Sequence, residues 1–183
     1  MDLVRLALER GATAAAAVDV MVDLIDAHGQ GGSGHEGEPR PYWSSFLVAD
    51  PAAAFVVETS GPTVSVEPVV RSRAVSNRTT IPAFDAEHRH PQQPVETLVD
   101  PRWRASQAML AAEPVTTGAL EAHLASHVGG DGGWTVCMHV DGVEATTAAM
   151  VAELPAGGPP RARFLVGSPC RTPFEDVPLP QTE

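Results

Sequence analysis

An α+β fold, with helices and antiparallel strands segregated into layers, is what this sequence predicts. Two observations carry that expectation. Apolar residues recur at helical spacing up to His28, and from Ser44 the pattern turns to short β-rich runs punctuated by Gly and Pro. The second half repeats the order, with helical spacing from Arg102 and strand-like runs from Trp134.

Residues 2–10 place Leu3, Val4, Ala7 and Leu8 in one stripe, which Gly11 interrupts. Thr13 is a natural cap for a second helix, in which Val18, Met21, Leu24, Ile25 and His28 share a face and Gly29 marks the stop. Gly29 to Pro41 reads as a Gly-rich loop. It lacks the G-x-x-x-x-G-K-[ST] pattern and any lysine to reach a phosphate, which argues against a nucleotide loop. Ser44–Asp50, Ala54–Thr59 and Thr63–Val70 read as strands of an antiparallel meander, with turns at Asp50-Pro51 and Gly61-Pro62. Ala74–Ile81 is a further strand candidate, and Pro82–Pro101 reads as a polar, proline-rich loop. Arg102–Ala112 and Thr116–Val128 are expected helices. Trp134–Val140 and Thr146–Leu154 are expected to pair as strands around Asp141-Gly142, and Arg163–Val166 is a short strand. The stretch from Pro169 is expected to be irregular. No internal repeat or linker stands out, so residues 1–183 are expected to form one domain with an irregular tail at 171–183.

The composition narrows the function classes. A net charge of −11 argues against nucleic acid or an anionic membrane as partner. Mean hydropathy is near zero, and no apolar run approaches the roughly 18 residues of a membrane span. The N-terminus has no basic stretch followed by an apolar one, so a cytoplasmic location is expected. Cys137 and Cys170 have no CxxC neighbour and are expected to be free thiols.

Asn77, the only asparagine, is the first candidate site residue. A neutral amide at a strand end can donate to a developing oxyanion, although by spacing alone it reads as a turn residue. His88, His90 and Asp85 have metal-ligand chemistry, as do His123, His127 and Asp131. The second set lacks the Glu of H-E-x-x-H, and both sets read more simply as solvated or capping histidines. Cys137 and His139 stand two apart and can touch on one strand face, but the apolar flanks favour a buried structural cysteine. Cys170 has no base nearby in sequence and reads as part of a turn. Asp50 and Glu58 have the residue types of a general acid and base pair, but nothing in the sequence fixes their geometry, and they are expected to cap a turn and face solvent. No metal and no cofactor is assigned.

With these pieces in order, the chain resembles the secernin and dipeptidase branch of the Cys-type N-terminal-nucleophile hydrolases. The resemblance runs through Met1-Asp2-Leu3-Val4-Arg5-Leu6 with Gly29-Gln30-Gly31-Gly32, Ser45-Phe46-Leu47-Val48-Ala49-Asp50, Val57-Glu58-Thr59 and Val75-Ser76-Asn77. It continues in Trp134-Thr135-Val136-Cys137-Met138-His139, Thr146-Thr147-Ala148-Ala149-Met150-Val151 and Gly167-Ser168-Pro169-Cys170. It implies an αββα sandwich and hydrolysis of an amide bond in a small peptide. In that family an N-terminal Cys attacks the carbonyl while its own α-amine handles the proton, and Asn77 matches the asparagine that donates to the oxyanion.

The departures are as informative. The stretch bearing the nucleophilic Cys has no counterpart, so an N-terminally truncated sandwich, inactive by itself, is expected. Trp43-Ser44 replaces the family's usual His-Asn. The alternatives are a non-catalytic binding or assembly protein, with pairing to a second copy, and a metal-dependent hydrolase using His123, His127 and Asp131 or His139.

Overall fold

The computed structural model describes residues 2–30, 43–91 and 93–178, and its mixed helices and small antiparallel sheets make the fold α+β. The expected Gly29–Pro41 loop lies mostly outside the described residues, as does the end of the tail. Contacts divide the chain into two compact units, Met1–Gln93 and Pro94–Glu183. No described helix is long and apolar enough to cross a membrane.

The first unit begins with α1 (Asp2–Arg10) and α2 (Ala14–His28). Thr13 caps α2 by accepting the Ala16 N–H at 3.2 Å, and Gly29 ends it with a positive φ of 67°. The sheet then forms from β1 (Trp43–Ala49), β2 (Ala54–Ser60) and β3 (Thr63–Pro68), antiparallel in sequence order. Alternation directs Phe46 and Val48 toward Ala7, Ala17 and Met21, where they form one apolar cluster. Val56 belongs to a second cluster with Ile81 and Phe84, so the central strand β2 is covered on both faces. Leu3, Leu6 and Ala7 of α1 turn inward, but Val4 and Leu8 of the expected stripe are exposed.

Ala74–Ile81 is not a strand. Its only pairing is an isolated bridge from Ser76 to Arg78, closed by the Arg78 N–H on the Ser76 carbonyl at 2.7 Å. The physical reason is competition for backbone donors. The carboxylate of Glu58, on β2, takes the N–H groups of Thr80 and Ile81 that a strand ladder would need. The Pro82–Pro101 expectation is also corrected. Pro82 opens α3 (Pro82–His88), where its missing N–H costs nothing, and buried Phe84 anchors that helix; α4 (Val95–Leu98) follows around buried Val95.

The second unit contains α5 (Asp100–Ala111) and α6 (Thr117–Leu124), the latter capped by Thr116 accepting from the Ala119 N–H at 3.1 Å. Helix α6 stops at Leu124 rather than running to Val128, and Ser126 closes it by donating its hydroxyl to the His123 carbonyl at 2.7 Å. The expected pairing of Trp134–Val140 with Thr146–Leu154 shrinks to a two-residue ladder, β4 (His139–Val140) with β5 (Glu144–Ala145). Trp134–Cys137 is drawn away because the Val136 and Cys137 N–H groups bond the carbonyls of Val128 and Ser126. β6 (Ala148–Glu153) instead pairs with β7 (Arg161–Val166), and β8 (Glu175–Val177) adds a third strand from the stretch expected to be irregular. Arg163 ties β7 to α6 through Glu121.

Candidate functional site

Asn77 sits exposed at the apex of the tight Ser76–Arg78 turn. Both ends of that turn are held. On one side, Glu58 is fully buried on β2 and accepts the Thr80 N–H at 2.7 Å, the Thr80 hydroxyl at 2.6 Å and the Ile81 N–H at 3.0 Å. Glu58 therefore does not face solvent, and it does not pair with Asp50. Asp50 does cap, as expected: one oxygen accepts the Ala14 N–H that opens α2 and the other accepts from Ala52 and Ala53. Those backbone donors hold the Asp50 carboxyl below the usual carboxylate range.

On the other side of the turn stands Asp85. Burial pushes its carboxyl up, but Arg89, the Thr79 hydroxyl and Arg78 together outweigh that and hold it below its ordinary value. The Arg78 guanidinium lies 2.7 Å away and the Thr79 hydroxyl 2.6 Å away. The Ser45 hydroxyl donates to the Arg78 carbonyl at 3.1 Å, which links the turn to β1 as well. The result is a fixed backbone that displays one neutral amide to solvent.

The histidines near this turn do not converge on a metal with Asp85, whose carboxylate is taken by two arginines. The His88 ring lies 4.5 Å from that of Phe84, and His90 lies 4.3 Å from the Trp43 ring while accepting the Gln93 N–H. Trp43 donates its indole N–H to the His88 carbonyl at 2.6 Å.

In the second unit the sequence candidates regroup. His123 contacts the Ser106 hydroxyl through Nε2 at 2.9 Å, and burial lowers its pKa. Because α6 ends early, His127 does not share a helix face with His123, and it lies instead with its ring 5.2 Å from that of His139 and nearly perpendicular to it. Asp131 is exposed and outside this group.

Four side chains do converge: the ligand atoms of His127, Cys137, His139 and Cys170 all lie within 4.8 Å of one another. His139 Nε2 is 3.5 Å from Cys137 Sγ and 3.1 Å from Cys170 Sγ. Both cysteines are free thiols, and Cys137 is fully buried. Burial pushes the Cys137 thiol up, and the Cys170 backbone N–H and Arg171 oppose that only in part.

Bonds of the Thr146 backbone and hydroxyl build this convergence. Thr146 accepts the Met138 N–H at 2.9 Å, donates its own N–H to the Met138 carbonyl, and accepts the Ser168 hydroxyl at 2.9 Å on its carbonyl. The segment bearing Cys137 and His139 is thereby joined to the turn bearing Cys170. That turn closes by the Arg171 and Thr172 N–H groups on the Ser168 carbonyl. The expected turn at Cys170 is present, and the base that the sequence did not supply nearby is His139.

No protein-family model matches the chain, and no solved structure matches it. Pairing Cys137 with His139 was within reach of the sequence. The addition of Cys170 and His127 was not, because nothing local marks a side chain that closes a site 31 residues away.

Proposed function

We propose that this chain is the oxyanion-donor portion of a secernin-like, Cys-type N-terminal-nucleophile hydrolase that cleaves an amide bond in a small peptide. The observation that carries this reading is the clamped display of Asn77. A group that stabilises a developing oxyanion gains from being fixed before the reaction, since it then reorganises little as charge appears. Glu58, Asp85 and Ser45 supply that fixation at three points around the turn. The collinear sequence resemblance and the α+β class support the same reading, and an αββα sandwich is the architecture it entails.

In this reading an N-terminal Cys, supplied outside the residues that match the family, attacks the substrate carbonyl. The Asn77 side-chain N–H donates to the oxygen as it gains charge. The α-amine of the nucleophile takes the thiol proton and returns it to the leaving amine. An amine of ordinary pKa near 8 suits that exchange at neutral pH. Neither Cys137 nor Cys170 serves as the nucleophile, since neither is N-terminal and both face His139 in the second unit.

The test is dipeptide hydrolysis by the chain by itself and by the chain carrying an in-frame, Cys-initiated segment encoded ahead of Met1. The chain alone is expected to be inactive and the extended chain active. Asn77→Ala in the active form is expected to lower kcat by about 10²–10³ with little change in KM. Turnover by the chain alone, or an Asn77→Ala variant with unchanged kcat, would overturn the proposal.

A further inference from the structure

We propose that His127, Cys137, His139 and Cys170 form a tetrahedral zinc site that staples the second unit. The proposal does not depend on the hydrolase reading, and it involves neither Asn77 nor its turn.

The donor set comes first. Two thiols and two imidazoles are the ligands of closed structural zinc centres, and four protein donors leave no open position for a reacting water. Bond lengths of about 2.3 Å to sulfur and 2.0–2.1 Å to nitrogen give a tetrahedron with edges of roughly 3.3–3.8 Å. The His139 nitrogen already lies 3.5 Å and 3.1 Å from the two sulfurs, and every remaining pair falls inside 4.8 Å. Closing onto an ion therefore needs side-chain shifts, not a rebuilt backbone. A span this small suits one ion and is too tight for a multi-iron cluster.

The metal-free arrangement crowds both thiols against one imidazole and against each other. Two thiols converge on a single imidazole nitrogen, and that nitrogen can satisfy only one S–H at a time. One of the sulfurs, on Cys137, is fully buried. A divalent cation resolves this crowding: two thiolates neutralise its charge, and two neutral imidazoles complete the sphere. The balance is one zinc ion plus two thiols giving the bound centre and two released protons.

A second observation points the same way. Both buried apolar clusters of the described residues belong to the first unit. In the second unit much of the sheet's large apolar surface is open: Met150 is 62% exposed and Val166 75%. The opposite positions Val151 and Leu165 are buried, so the sheet keeps one covered face and one open one. Here the cysteines are free, and the four donors join three separate segments: the stretch after α6, the residues leading into β4 and the turn after β7. A metal at that junction would cross-link these three segments.

The site also has a built second layer. Thr135 donates its hydroxyl to the Cys137 carbonyl at 2.8 Å, and the His139 N–H bonds the Gly133 carbonyl at 3.0 Å. Bonds of this kind orient the ligand-bearing backbone before the ion arrives.

The experiment uses the whole chain, produced without a polyhistidine tag in zinc-supplemented medium. Elemental analysis is expected to find about one zinc per chain. Replacement by Co²⁺ is expected to give intense tetrahedral d–d bands and a thiolate-to-metal charge-transfer band, a signature that needs no variant to read. Cys170→Ser is expected to abolish the charge-transfer pattern of two thiolates, and His127→Ala to weaken metal binding by about tenfold or more. His123→Ala, outside the cluster, is expected to bind as wild type does. Calorimetry in buffers of different ionisation enthalpy is expected to report about two protons released per zinc. The proposal is overturned if zinc-treated protein retains no stoichiometric metal, if the Co²⁺ spectrum lacks sulfur ligation, or if the native protein carries a Cys137–Cys170 disulfide. Loss of dipeptidase activity in any extended form leaves these readouts unmoved, so the two proposals fail separately.

Discussion

Replacing Glu58 by Gln probes the clamp that displays Asn77 while keeping the shape of the side chain. Glu58 is fully buried, and its two oxygens together face the N–H groups of Thr80 and Ile81 and the Thr80 hydroxyl. A glutamine offers one acceptor oxygen and one donor NH₂. If its oxygen faces Thr80, its NH₂ meets the Ile81 N–H, donor against donor. If it is flipped, the NH₂ faces the Thr80 N–H and a hydroxyl that already accepts from Arg73 at 3.0 Å. The first orientation strands the Ile81 N–H; the second keeps both N–H groups on the remaining oxygen but strands the Thr80 hydroxyl proton and sets NH₂ against the Thr80 N–H, so either leaves one buried donor without its acceptor, at a cost of about 1–3 kcal/mol. With a urea m-value near 1 kcal/mol/M, the low end that suits a unit of this size, the unfolding midpoint should fall by roughly 1–3 M. The assay is urea unfolding followed by Trp43 fluorescence, with Trp103 and Trp134 replaced by Phe so that only the first unit reports. Glu9→Gln is the control, because the exposed Arg5–Glu9 pair at 2.9 Å should contribute no more than about 0.5 kcal/mol. A Glu58→Gln midpoint indistinguishable from that of Glu9→Gln would refute the clamp.

Two further predictions rest on the same kind of geometry. Because the Asp85 carboxyl is held below its ordinary value of 3.8, its contribution to stability is present above that pH and lost as pH falls through the folded value. Asp85→Asn should therefore be less stable than wild type at neutral pH and show a flatter fall in urea midpoint as pH drops below about 4. Gly133 has φ of +89°, and a Cβ there would lie 1.9 Å from the His139 carbonyl oxygen, whereas one at Gly132, also at positive φ, meets nothing within 4 Å. Gly133→Ala should lower the melting temperature of the second unit well beyond Gly132→Ala, which should cost only the about 1–2 kcal/mol of left-handed backbone; equal losses would show that the contact does not matter.

The parts of the fold that were legible are those written in local signals. Thr13 and Thr116 mark helix starts because a hydroxyl satisfies an orphan N–H a few residues on. The meander β1–β3 follows from alternation and from turns at Asp50 and Gly61, all within short reach along the chain. At the site, Asn77 was legible as a turn residue, and Cys137 and His139 as a pair that can touch. Ala74–Ile81 misled because its strand-like pattern says nothing about a distant acceptor. Pro82–Pro101 misled because prolines that break a helix interior also start helices, as Pro82 does.

The sequence by itself therefore determined the α+β class, most helix and strand positions and the residue types available for chemistry. Only the tertiary structure decided where the buried charges and thiols go. Glu58 leaves the expected solvent face because backbone donors of a distant turn satisfy it. Cys137, His139 and Cys170 meet because Thr146 ties their segments together, and His127 joins them because the Val136 and Cys137 N–H groups bond the carbonyls on either side of it, by bonds that no periodicity encodes. Local pattern reports which face of an element is apolar. It carries no information on which distant polar groups must be brought together to satisfy one another, and that convergence makes both the clamped turn and the thiol–imidazole centre.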